Sequence, residues 1–269
     1  MSSPVPSATS APSVSEPEVA VPPPVPTRAP RTWYFRGTTM FVLAIFAVYL
    51  LAQIAALIGW LWWHQIAPDS SEELHGLLRH GGLLGLAQIV ACPFVLAALW
   101  IPIRIARQRF SDYLALRLPG RAELARGLAM ILALLLAYYF LALALGEPIP
   151  PEFAIEIYRS ARDSGWLIVL LIGLCVGAPV IEEFVVRGFM FRGWSQSFLG
   201  PAGAVVLSSV AWAAIHTQYD LFYMSEIFAI GLLLGYLRYR SGSTWLTVVI
   251  HGAVNAASMI EVAVVLANA

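Results

Sequence analysis

The chain has 269 residues, 59% of them hydrophobic and 12% charged, with a mean hydropathy of +0.75. That composition predicts an integral membrane protein with no nucleic-acid partner, while the balance of 16 basic against 16 acidic residues says nothing of partners by itself. Cys92 and Cys175 both fall in apolar runs, so buried thiols are expected rather than a disulfide framework.

Residues 1–37 are rich in Pro, Ser and Ala, and Val21-Pro22-Pro23-Pro24-Val25-Pro26 has polyproline II character. Such a stretch buries too little apolar surface to order itself, and a disordered cytoplasmic tail is expected. It lacks the apolar core of a signal peptide, since the first apolar run begins near Met40.

Residues 38–269 read as an all-α, polytopic transmembrane helical bundle. Seven apolar spans are expected, at about 38–62, 82–103, 123–145, 165–187, 202–218, 222–240 and 244–267. Arginines precede the first span (Arg28, Arg31, Arg36) and fill the second connection (Arg104, Arg107, Arg109, Arg117, Arg121). They recur at Arg187 and Arg192 and at Arg238 and Arg240, in every second connection. Acidic residues dominate the other side, from Asp69, Glu72 and Glu73 to Glu147, Glu152, Glu156, Asp163 and Asp220. The positive-inside rule then predicts a cytoplasmic N-terminus.

Several polar groups have structural explanations. His64, His75 and His80 are expected to be solvated in the first outer connection, and Gln53 and Gln88 to bond between helices. Trp60, Trp62, Trp63 and Trp100 are expected as interfacial anchors. Residues 147–166 predict a short amphipathic surface helix. Glu226 and Glu261 lie near the outer ends of their spans.

The fourth span departs from this pattern. Ala178-Pro179-Val180-Ile181-Glu182-Glu183-Phe184-Val185-Val186-Arg187-Gly188 sets three charges in a run otherwise suited to lipid. Unpaired at midplane they would cost about 7–10 kcal/mol together. Glu183 and Arg187, at i and i+4, are placed to pair on one face. Glu182 points about 100° away, toward something else. Pro179 cannot donate to the carbonyl of Cys175, so an irregular helix is predicted there.

Two further polar pairs share helix faces: Trp212 with His216, and His251 with Asn255. Counted from a turn at Leu199-Gly200-Pro201, Glu182 and His216 both lie about 24–27 Å along their helices, hence at one level. A polar chamber inside the bundle, reached from the cytoplasmic half, is expected. A carboxylate and an imidazole together hold and deprotonate a water, while a second imidazole and an amide donate to a developing oxyanion. Those parts describe amide or ester hydrolysis. Glu182, His216 and His251 are also candidate ligands for a divalent metal such as zinc, although the His-Glu-x-x-His spacing is absent.

The series Glu182-Glu183-x-x-x-Arg187, Trp212-x-x-x-His216 and His251-x-x-x-Asn255 resembles the CAAX prenyl protease and bacteriocin-processing family of intramembrane proteases (CPBP, or Abi). Pro179, Arg187-Gly188 and Gly242-Ser243-Thr244-Trp245 fit as well, and the match covers about residues 165–260. Trp212 stands where that family more often has phenylalanine. The resemblance implies an endopeptidase, labelled metalloprotease in many members, acting on a membrane-associated peptide or protein. It assigns Glu182 and His216 to water activation, His251 and Asn255 to the oxyanion, and Glu183 and Arg187 to orienting them, beside Trp212. The tail and compact size look bacterial, which places the chain in an inner (plasma) membrane. A catalytically silent scaffold or immunity protein, and a small transporter, remain as alternative readings.

Overall fold

A computed structural model describes residues 32–268; the predicted tail lies outside the described residues up to position 31. The described residues are helical, with no strand among them. In chain order the helices are α1 (Tyr34–His64), α2 (Ser71–Leu78), α3 (Gly81–Ile105), α4 (Phe110–Tyr113), α5 (Arg121–Leu145) and α6 (Glu152–Asp163). They are followed by α7 (Leu167–Ser195), α8 (Gly200–Ala214), α9 (Leu221–Ser241) and α10 (Thr244–Asn268). The first helix starts at Tyr34, inside the predicted tail, because Trp33 and Phe35 find aromatic partners in Phe41 and Trp194.

Six of these helices are long and apolar enough to cross a membrane: α1, α3, α5, α7, α9 and α10. The fifth predicted span, 202–218, is the 15-residue α8, which rises only about 22 Å. It stops early because the His216 imidazole donates from Nδ1 to the Trp212 carbonyl at 2.8 Å, satisfying an acceptor that a further helical turn would have used. The loop 215–220 completes the crossing, and Tyr219 reaches Phe153 of α6 at 5.4 Å between ring centroids.

Among the described residues, the six long helices and the shorter α8 run between two ends of unlike charge. At the basic end, Arg192 donates to the carbonyls of Asp112 and Tyr113, and Arg117 to that of Ser241. At the acidic end, Arg79 pairs with Glu156 at 2.6 Å, and the Tyr223 hydroxyl donates to the Pro148 carbonyl. The amphipathic surface helix is α6, which buries Ala154, Ile157 and Ala161.

Close backbone contact seats α7 in the bundle. A Cβ on Gly85 would lie 2.5 Å from the Leu170 Cα, so only glycine lets α3 and α7 meet there. The predicted irregularity in α7 takes the form of wide π-helical turns over Gly173–Gly177 and Phe184–Met190, on either side of Pro179.

Gln53 donates to the Ala87 carbonyl and Gln88 to the Tyr49 hydroxyl, the interhelical bonds expected of them. Two expectations need correction. Trp60 is 4% exposed and packs on His80 and Trp166, so it is a core residue, whereas Trp62, Trp63 and Trp100 are exposed. His80 is not simply solvated: its Nδ1 accepts from the Leu83 N–H at 3.4 Å and caps α3.

Candidate active site

The widened turns of α7 turn its charged residues inward. Glu183 is fully buried and Arg187 is 1% exposed, and their ion pair closes at 2.8 Å. The other arm of the guanidinium donates to the Gly231 carbonyl of α9 at 3.2 Å. Its central carbon (Cζ) lies 4.6 Å from the centre of the Trp212 ring, a cation–π contact in dry surroundings. The Glu183 oxygen that binds Arg187 also takes the His251 Nδ1–H at 3.0 Å. One carboxylate thus ties α7 to α10 and fixes the His251 ring.

Glu182 faces elsewhere, as its register requires. Its Oε2 accepts the Trp212 indole N–H at 2.5 Å. Trp212 is the hub of the arrangement: its ring lies 5.1 Å from His216 and 5.3 Å from His251, both edge-on. Because a carbonyl only accepts, the bond from His216 Nδ1 to the Trp212 carbonyl leaves Nε2 as the ring's acceptor.

Asn255 donates from Nδ2 to the Leu174 carbonyl at 2.7 Å, within the first wide turn of α7. One turn away, a Cβ on Gly252 would sit 2.6 Å from the Cys175 carbonyl, the acceptor that Pro179 cannot serve. Pro179, Gly252 and Asn255 together set the distance at which His251 meets α7.

A cavity of about 380 Å³ lies beside these residues and is lined by Trp212, His216, His251 and Asn255. It runs toward Ile149, Pro151, Tyr219 and Tyr223, hence to the acidic end, not to the basic end expected from spacing. His216 lies 16 residues beyond Gly200, about 24 Å from the basic end, and so faces the acidic half. Glu182 is not among the lining residues; it accepts from the indole of Trp212, which is, and makes no direct bond to His216 among the described residues.

No three His, Cys, Asp or Glu among the described residues are gathered to hold an ion, and the bonds of Glu182, His216 and His251 leave one oxygen or one ring nitrogen of each without a hydrogen bond. Sequence reasoning missed Arg238, read there only as a topology charge. It is 7% exposed and donates through Nε to the Arg187 carbonyl and the Thr244 hydroxyl, bracing the second wide turn of α7. Only its position one turn before a helix end, with no acid nearby in sequence, hinted at this.

Comparison with known proteins agrees with the motif reading. Residues 164–257 match the family model of the type II CAAX prenyl endopeptidase Rce1-like proteins. An uncharacterized 24.3 kDa protein of Escherichia coli is 26% identical over 217 residues, covering 76% of this chain and 92% of that protein. No solved structure matches the chain. The resemblance to CAAX-type intramembrane proteases is thus borne out over the segment that carries all three motifs.

Proposed function

We propose that the chain is an intramembrane endopeptidase that hydrolyses a peptide bond of a membrane-associated peptide or protein. The observation that carries this reading is the gathering of Glu182, His216 and His251, from three helices, around the one indole of Trp212 at a cavity wall. Glu182 Oε1, the oxygen the indole leaves open, and His216 Nε2 hold a water and take its proton. The water oxygen attacks the substrate carbonyl carbon. The resulting oxyanion accepts from the second N–H of Asn255 and from the His251 ring when its Nε2 carries a proton. Collapse breaks the C–N bond, and the proton held by the Glu182–His216 pair passes to the leaving nitrogen.

The arginines of the basic end support a cytoplasmic N-terminus by the positive-inside rule, in a membrane we read as a bacterial inner membrane. In that orientation the cavity opens away from the cytoplasm. The test is cleavage of membrane-tethered fluorogenic peptides by purified protein in lipid nanodiscs. Glu182→Gln should reduce turnover about 10²–10⁴-fold while the bundle stays folded. Normal turnover by that variant refutes the mechanism. Comparative proteomics of a deletion strain complemented with wild type or Glu182→Gln identifies the substrate.

A further inference from the structure

The outer half of the cavity carries two carboxylates that the hydrolytic reading does not use. Glu226 of α9 and Glu261 of α10 both line it, and neither makes a hydrogen bond or an ion pair among the described residues. A half-buried carboxylate normally secures such a partner. Around them stand Tyr138, Tyr219, Phe222 and Tyr223, whose ring faces attract cations, and the Tyr219 hydroxyl also lacks a partner. At the inner end, His251 is 4% exposed, and its Nε2 makes no bond. The cavity is thus a passage with reactive groups at one end and two unpaired carboxyl groups at the other.

We propose that Glu226 and Glu261 form a cation-binding subsite that takes a lysine, an arginine or the amino terminus of a peptide substrate. The proposal rests on the proteolytic reading of the inner end and adds the substrate class. The spacing sets the register. Glu261 lies about 15 Å beyond His251 along α10. An extended peptide advances about 3.3 Å per residue, and a lysine side chain shortens the distance to be spanned. The positive group therefore sits about three to five residues from the bond cleaved. The acidic end, where this mouth opens, also carries Glu147, Asp220 and Glu152, a field that draws a basic peptide in.

The experiment measures binding, so it does not depend on turnover. Glu182→Gln protein in nanodiscs of neutral lipid is titrated with lipid-tethered, fluorescent decapeptides carrying lysine, norleucine or glutamate at one scanned position. The protein should bind the best lysine peptide about tenfold more tightly than its norleucine counterpart. That ratio should fall to about one when Glu226→Gln and Glu261→Gln are added, and glutamate should be preferred once Glu226→Lys is present. Equal binding of the lysine and norleucine peptides, or a lysine preference that survives the double substitution, overturns the subsite. The scan on unaltered carboxylates decides the question even where a variant fails to fold. Cleavage of the same peptides by wild type is scored separately. Its absence, with the lysine preference intact, refutes the protease and leaves a cation-selective peptide cavity.

Discussion

Arginine 187 is the most exacting test of how the charges of α7 are tolerated. Replacing it by methionine keeps most of the stem volume and removes three contacts together. These are the 2.8 Å ion pair to Glu183, the 3.2 Å bond to the Gly231 carbonyl, and the cation–π contact at 4.6 Å from Trp212. What remains is a fully buried carboxylate beside the His251 imidazole, with no cation paired to it. Removing one partner of a buried pair costs about 3–5 kcal/mol, most of it the cost of the orphaned charge. Arg187→Met should therefore destabilise the bundle by that amount, read by denaturant or SDS titration of purified protein in mixed micelles. Arg187→Met with Glu183→Gln should recover a substantial part, since no buried charge is then left alone. A loss below about 1 kcal/mol for the single variant refutes the reasoning. So does a double variant as unstable as the two single losses added together.

Other outcomes follow from particular contacts. Gly252→Ala puts a methyl 2.6 Å from the Cys175 carbonyl, a backbone atom that cannot yield, and should cost about 1–3 kcal/mol while displacing His251; thermal unfolding and cleavage assays should both respond. Trp212→Phe keeps the aromatic packing but removes the 2.5 Å bond to Glu182, and should cost about 1–3 kcal/mol through the unsatisfied carboxylate; Trp212→Ala should lose more. Burial, and then the nearby His64, hold the His80 imidazole below its ordinary value of 6.5. Between the two values the unfolded chain binds the proton and the folded one does not, so stability falls as pH drops below about 6.5. Stability measured against pH should lose that slope in His80→Asn, which still caps α3.

Much of the candidate site was legible because helical register is a local property. The spacing of Glu183 and Arg187 anticipated their pair, and Glu182 turns away as its position demands. Equal depth for Glu182 and His216 came from counting residues back to the turn at Gly200, and both reach the same indole. The role of Trp212 as donor to Glu182 was not legible, because the indole N–H crosses between helices 30 positions apart. Arg238 was misread for a similar reason: its partners, the Arg187 carbonyl and the Thr244 hydroxyl, adjoin it only after α7, α9 and α10 pack.

Composition and periodicity alone were enough to determine a membrane-spanning helical protein, since lipid offers no partner for backbone groups and leaves few structures other than a helix open to an apolar run. They also determined where the ion pair and the end-to-end charge asymmetry fall. Tertiary structure decided the rest: which carboxylate holds His251, that α8 stops short of a full span, and that the cavity opens at the acidic end. Each depends on how closely two helix backbones approach. That distance is set by glycines and freed carbonyls on different helices, which no single segment encodes.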